Sequence, residues 1–166
     1  MKNIKILAVL FISIFSIISC EDDISLTYIA QPQGEFTFSN SFLPEYILTS
    51  AASKNIGERF TWDSADFETP TNITYELQSS TSADFTTMEV VGTTSDNSYA
   101  VTIGDLLGYA AQAGLDNDPA TENPNTGSIY FRLRAFAGTG SDVDTTTSAQ
   151  ALTVTLPEDT GSEGPV

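Results

Sequence analysis

Residues 128–138 read SIYFRLRAFAG, and the alternation in this stretch decides the fold class. Every second residue is apolar, and the residues between them are tyrosine or arginine. The apolar positions are Ile129, Phe131, Leu133 and Ala135. A period of two places these four side chains on one face of an extended chain. The stretch is therefore predicted to be a β-strand with one buried face.

The same alternation recurs along the chain between turn residues. The clearest further stretches are ERFTWD (58–63), ITYELQ (73–78), TMEVVGT (87–93), SYAVTIG (98–104) and ALTVTL (151–156). Weaker examples are FTFSN (36–40) and EYILTS (45–50). Short strands at this regular spacing are typical of an all-β protein in which two sheets pack face to face. We therefore predict an antiparallel β-sandwich of about seven or eight strands.

One stretch breaks the alternation. Residues 104–115, GDLLGYAAQAGL, carry apolar side chains at helical spacing, and Gly114 supplies a stop signal. The apolar positions are Leu106, Leu107, Ala110, Ala111 and Leu115. This pattern predicts one short crossover helix that caps one end of the sandwich.

The N-terminus has the layout of a signal peptide. Two lysines in MKNIK precede the apolar run ILAVLFISIFSII (6–18), which is shorter than the roughly 20 residues that a transmembrane helix needs. The tetrapeptide Ile17-Ile18-Ser19-Cys20 resembles the lipobox of bacterial lipoproteins. This resemblance implies cleavage before Cys20, the chain's single cysteine, and acylation of that residue. An ordinary secretory signal with a chance cysteine is the alternative.

These features give four predicted segments. Residues 1–19 are a lipoprotein signal peptide, and residues 20–33 are a lipidated N-terminus with an acidic tether. Residues 34–156 form the sandwich domain. The segment 157–166, PEDTGSEGPV, has little to bury and is predicted to be a disordered acidic tail.

The mature chain is strongly acidic. Removal of the signal peptide takes away Lys2 and Lys5 but none of the 22 acidic residues, so four basic residues remain and the net charge becomes −18. The four are Lys54, Arg59, Arg132 and Arg134. Such a surface repels phosphate backbones and anionic lipid headgroups, which argues against nucleic-acid binding. Neutral glycans, cations and basic protein surfaces remain as partners.

The whole ordered part resembles one family. The stretch from RFTWDSADF to AAQAGL (59–115), followed by SIYFRLRAFAG (128–138), resembles the N-terminal domain of the SusE/SusF outer-membrane lipoproteins. The resemblance implies an immunoglobulin-like or fibronectin III-like sandwich. It also implies a place beside the SusC/SusD-type machinery that captures and imports glycans. The run Glu21-Asp22-Asp23 resembles the signal that exports such lipoproteins to the cell surface.

Family members of full length carry further carbohydrate-binding domains after this one. None of the binding residues of those domains has a matching position here, so the resemblance supplies no ligand residues.

Three residues on the polar face of the 128–138 strand are candidate ligand-binding residues. Tyr130, Arg132 and Arg134 point away from the predicted core and could bind a carboxylate or an acidic sugar. Glu76 lies on ITYELQ, a strand expected to neighbour this one. It could pair with the arginines instead, as cross-strand ion pairs commonly do.

Aromatic residues suggest a sugar site less directly. Trp62 could stack on a pyranose ring, but it alternates with Phe60 and is predicted to belong to the core. If the domain itself binds an oligosaccharide, exposed loop aromatics such as Tyr109 or Phe85 are the candidates.

The loop DNDPATEN (116–123) gathers Asp116, Asp118 and Glu122, and carboxylates suit a calcium ion. The EF-hand pattern fails, however, because Thr121 stands where glycine should make the turn. We therefore predict a solvated loop, with no metal and no cofactor.

Catalysis finds little support in the sequence. The chain contains no histidine, and a lipidated Cys20 cannot act as a nucleophile. Carboxylate pairs are inevitable with 22 acidic residues, so their presence indicates nothing. The leading prediction is a non-catalytic accessory lipoprotein of a glycan importer, anchored in the outer membrane at the cell surface. The alternatives are a carbohydrate-binding module for a neutral oligosaccharide, and a structural or adhesion lipoprotein.

Overall fold

The structure is a computed structural model that describes residues 29–138 and 142–158. The predicted signal peptide, Cys20 and the acidic run after it lie outside the described residues, as does most of the predicted tail. Backbone hydrogen bonds of the domain extend to Gln31 and Gln33, which donate to the carbonyl oxygens of Phe67 and Asp66 at 3.1 and 2.8 Å.

Eight strands and one α-helix make up the described part of the chain. The strands are β1 (Tyr46–Ile47), β2 (Ile56–Thr61), β3 (Ile73–Ser80), β4 (Met88–Thr94), β5 (Ser98–Thr102), β6 (Thr126–Ala137), β7 (Asp144–Thr146) and β8 (Gln150–Thr155). The helix α1 covers Ile103–Gln112, and a 3-10 helix covers Ser50–Ala52. The prediction of an all-β sandwich with one short helix is confirmed.

The two sheets differ in size. The large sheet has six strands in the order β1-β8-β6-β3-β4, with β7 also paired to β6, and the small sheet contains only β2 and β5. All pairs are antiparallel except β1 with β8, where Tyr46 and Ile47 run parallel to Val154 and Thr155. This pair is the one exception, among the described strands, to the predicted antiparallel pairing. Because β1 and β8 come from opposite ends of the domain, no hairpin dictates their relative direction.

Strand β6 is the centre of the large sheet, since β3 and β8 both pair along its length. Its inner face consists of the four predicted apolar residues, and each of them is almost fully buried. Phe131 packs against Phe60 of β2 at 4.8 Å between ring centroids, so the two sheets meet at this point. Burial of this face is the main stabilising contribution of the strand.

The second layer is completed by irregular chain. The predicted strand 36–40 contributes only an isolated bridge between Phe38 and Trp62. The pairing of this segment with residues 61–62 does not continue, because the amide of Thr61 donates to the side chain of Asn40, at 3.0 Å, and not to a backbone carbonyl. The predicted strand 45–50 shortens to the two residues of β1.

Helix α1 carries the chain from β5 of the small sheet to β6 of the large sheet, as expected of a crossover helix. It begins with a capping box: the amide of Asp105 donates to Thr102 Oγ1 at 3.1 Å, and the amide of Thr102 donates to the Asp105 carboxylate at 2.8 Å. Leu106 is fully buried against the core. The helix stops before Gly114, whose φ of +79° favours glycine.

Candidate functional site

The outward-facing residues of β4, β3 and β6 form three cross-strand rows, because paired residues point to the same face of a sheet. The first row is Met88, Ser80 and Tyr130; the second row is Val90, Gln78 and Arg132; the third row is Thr93, Glu76 and Arg134. The three candidate ligand residues of β6 therefore lie one in each row. Their role in ligand binding stays a prediction.

Arg134 in the third row is engaged by carboxylates. Its Nε donates to Asp144 of β7, and its Nη1 lies 4.0 Å from Glu76 Oε1. Its guanidinium also lies 5.1 Å from the ring centroid of Phe136. The alternative that Glu76 pairs with these arginines is thus realised at Arg134.

Arg132 in the second row has different neighbours. Its Nε donates to Gln78 Oε1 at 2.7 Å, and its guanidinium lies 4.3 Å from the ring centroid of Phe85. Gln78 in turn donates to Glu76 Oε1 at 2.5 Å. Within residues 29–138 and 142–158, no carboxylate lies within ion-pair distance of Arg132. Two neutral groups therefore fix the position of a guanidinium whose charge is not compensated locally.

Gln78 is buried on the outer face of the large sheet. Its register points it outward, yet only 1% of the residue is exposed. Arg132 lies beside it on the neighbouring strand and donates a hydrogen bond to its Oε1. No local pattern predicts this arrangement, because it depends on which residues β3 and β6 bring opposite each other.

Phe85 reaches Arg132 from the loop between β3 and β4. The loop is held by Asp84, whose carboxylate accepts from the hydroxyl of Ser82 at 2.5 Å and from the amide of Thr86 at 3.1 Å. These hydrogen bonds, that of Ser82 first, lower the pKa of Asp84 below its usual value. Phe85 itself has a φ of +53°, a conformation that bulky residues rarely adopt.

The two loop aromatics proposed for sugar binding do not have the expected exposure. Phe85 is only 7% exposed, and Tyr109 is half-buried on α1 with its ring edge-on to Phe131 at 5.9 Å. Trp62 is in the core, as predicted, 5.4 Å from the ring of Tyr75. Every aromatic side chain in the described residues is buried or half-buried. This part of the chain thus presents no exposed ring for stacking on a sugar.

In the acidic loop after α1, the carboxylates accept hydrogen bonds from backbone amides of the same loop and so stabilise its turns. Asp116 accepts from the amide of Asp118 at 2.9 Å, and Asp118 accepts from the amide of Ala120 at 2.8 Å. The first of these bonds is the main cause of a lowered pKa at Asp116. Among the residues that the structure describes, no three acidic side chains are grouped as a metal site requires.

Strand β4 contributes a feature that the sequence prediction did not single out. Met88 and Val90 are 45% and 46% exposed, and both lie on the outer face of the large sheet at its edge. The alternation of these two apolar residues around Glu89 was a usable signal. It predicts an apolar stripe, but only the sheet order shows that β4 is an edge strand among the described residues.

The fold and this surface define a β-sandwich domain that offers a flat sheet face. The family model for SusE outer membrane proteins matches residues 22–134, which is more than half of the chain. The chain belongs to the SusE family. Membership indicates an outer membrane protein of a Sus system.

The other two comparisons add nothing to this assignment, since no curated protein and no solved structure matches the chain. No helix within the described ranges is long and apolar enough to cross a membrane.

Proposed function

We propose that the chain is a non-catalytic lipoprotein, anchored in the outer membrane through Cys20 and displayed at the cell surface. In this proposal it acts as an accessory component of a SusC/SusD-type system for glycan capture and import. The observation that carries the proposal is the family match. It begins at residue 22, directly after the lipobox-like sequence that ends at Cys20.

The anchor would hold the domain close to the membrane. Nine residue steps separate Cys20 from Ile29, the first described residue, and even a fully extended chain of that length spans only about 30 Å. The chain then joins the domain beside Asp66 and Phe67, in the loop between β2 and β3. This loop would face the membrane, and α1, at the opposite end of the sandwich, would face away from it.

An accessory role fits the surface better than direct recognition of a neutral oligosaccharide. Sugar-binding sites commonly use an exposed aromatic ring, and the aromatic residues of the described ranges are buried or half-buried. Arg134 is held by carboxylates within the domain. The outer face of the large sheet is therefore better suited to contact with a protein.

The anchor is tested by replacing Cys20→Ala in the full chain and fractionating the cells. We expect the variant to lose acylation and to leave the outer-membrane fraction. Ser19→Ala is the matched control, because it keeps a small residue before the cysteine and should retain both properties. Unchanged membrane retention of Cys20→Ala would contradict lipid anchoring.

The accessory role is tested by gentle detergent extraction of native outer membranes, using the full-length lipoprotein with a C-terminal tag. Recovery of a SusC/SusD-like pair in amounts comparable to the lipoprotein is the expected result. Recovery of the lipoprotein alone, together with binding of the purified full chain to an oligosaccharide array, would favour the carbohydrate-binding alternative. Recovery alone without glycan binding would favour the structural or adhesion role.

A further inference from the structure

The first and second rows of the outer face form a surface with unusual chemistry for this chain. We call its four partly or well exposed residues, Met88, Val90, Tyr130 and Arg132, the β4 patch. The mature sequence has 22 acidic residues against four basic ones, yet neither row contains an acidic residue. Glu89, between Met88 and Val90, points to the other face and accepts a hydrogen bond from Gln112 at 3.2 Å.

Three of the four residue types of the β4 patch are ones that protein interfaces favour. Methionine, tyrosine and arginine are enriched at interface centres, where aspartate, glutamate and lysine are depleted. The patch also adjoins an edge of the large sheet, because among residues 29–138 and 142–158 β3 is the one strand that pairs with β4. An edge strand presents unpaired backbone donors and acceptors to which an extended segment can add.

The positive charge of Arg132 favours a partner with a negatively charged group at this position. The hydrogen bond to Gln78 and the ring of Phe85 orient its guanidinium before any partner arrives, which lowers the entropy cost of binding. No carboxylate of the described chain lies within ion-pair distance of it. A guanidinium pairs with a carboxylate through parallel hydrogen bonds, so a carboxylate is the group that this position fits.

We propose that the β4 patch is a docking surface for a partner protein. The partner adds an extended segment at the β4 edge, places a carboxylate on Arg132 and covers Met88 and Val90 with apolar side chains. A second copy of this chain does not fit, because its own β4 patch offers no carboxylate and the two mature chains repel each other. The location of the partner, at the outer membrane, rests on the proposed function. The chemistry of the partner is inferred from the residues of the β4 patch.

The test places a photo-crosslinking amino acid at position 88 or 90 of the full-length lipoprotein in its native outer membrane. Position 47 is the control, since Ile47 is an exposed apolar residue on the opposite edge of the same sheet. We expect positions 88 and 90, but not 47, to crosslink to one segment of one protein, and that segment contains an aspartate or glutamate.

Charge variants then test the role of Arg132. Arg132→Glu should lower the crosslink yield at position 90 by about tenfold, the effect of losing one charge-assisted contact. Arg59→Glu is the matched control, because Arg59 is exposed on β2 of the small sheet and should leave the yield unchanged. Replacing the partner's acidic residue by lysine should restore crosslinking to Arg132→Glu, which also shows that this variant folds.

The inference is overturned if positions 88 and 90 give no crosslink, or crosslink to a second copy or to residues 21–28 or 159–166 of the same chain. It is also overturned if Arg132→Glu and Arg59→Glu give equal yields. Co-purification of a SusC/SusD-like pair in these cases would leave the proposed function standing. Failure to co-purify that pair as well would contradict both the proposed function and the docking inference.

Discussion

The two faces of β6 show how one strand can serve two purposes. The inner face is apolar and almost fully buried, with Phe131 against Phe60 of the opposite sheet. The outer face carries Tyr130, Arg132 and Arg134, which are half-buried. Hydrogen bonds, ion pairs and ring contacts hold the two arginines. The inner face therefore determines the fold, and the outer face can be changed with less effect on stability.

The outer face itself contains a second contrast. Arg132 and Arg134 lie two residues apart on the same strand, but Arg134 contacts two carboxylates and Arg132 contacts an amide and a ring. The charge of Arg134 is paired with carboxylates of the same domain, so its contacts contribute only to the stability of that domain. A position held by neutral groups keeps its charge for another molecule.

The largest expected effect is on the inner face. Phe131→Ala removes a fully buried ring and should lower the free energy of unfolding by about 3–5 kcal/mol. Tyr130→Ala, one residue away on the outer face, is the control and should cost about 1 kcal/mol or less. Urea denaturation of both variants measures the difference. Equal losses would show that the two faces do not differ as described.

A smaller effect is expected at Arg132. Arg132→Met removes the donor to Gln78 Oε1, and an unsatisfied buried amide oxygen costs about 1–3 kcal/mol. The additional replacement Gln78→Leu removes the unsatisfied group, so the double variant should regain part of the loss. Additive losses in this double-mutant cycle would show that the hydrogen bond does not contribute.

Arg134→Met should cost less than Arg132→Met although it removes two ion pairs. The side chains of Arg134 and Asp144 are 22% and 39% exposed, and the pair with Glu76 is long, at 4.0 Å. Such partly exposed or long pairs contribute about 0–1 kcal/mol after solvent screening. Denaturation at low and high salt separates the two variants. Only the small loss at Arg134 should shrink further in high salt. A larger loss at Arg134 than at Arg132 would reverse the comparison.

The smallest effect concerns the loop that holds Phe85. Because the pKa of Asp84 is lowered in the folded state, its carboxylate stabilises the fold above the unfolded pKa of about 3.9. That contribution is lost as the pH falls through the folded pKa. An NMR titration should place the pKa of Asp84 below its usual value, and Ser82→Ala should raise it. No change in Ser82→Ala would exclude the serine hydroxyl as the main cause.

Much of the fold could be predicted because alternation is a local property. The strands around Trp62, Tyr75 and Phe131 each have a clear period of two, and all three side chains are buried. Pairing between distant segments has no local signal. Only the structure therefore shows that β1 runs parallel to β8 and that the small sheet has two strands among the described residues.

The candidate site was predictable to a smaller extent. Alternation placed Arg132 and Arg134 on the outer face, and the pairing of Glu76 with Arg134 was an expected alternative. The neighbours of Arg132 could not be predicted, because Phe85 lies in a loop and contacts Arg132 from a backbone conformation with positive φ. The burial of Gln78 depends on the same local arrangement.

We infer that the outer face of the large sheet, unlike its inner face, is open to a partner. Amide hydrogen exchange of the full-length lipoprotein, measured with and without its co-purified partner, tests this inference. The partner should slow exchange in β4, at residues 88–90, by about tenfold or more, and leave β1 at residues 46–47 unchanged. Equal exchange of β4 in the two samples would show that no partner covers this edge.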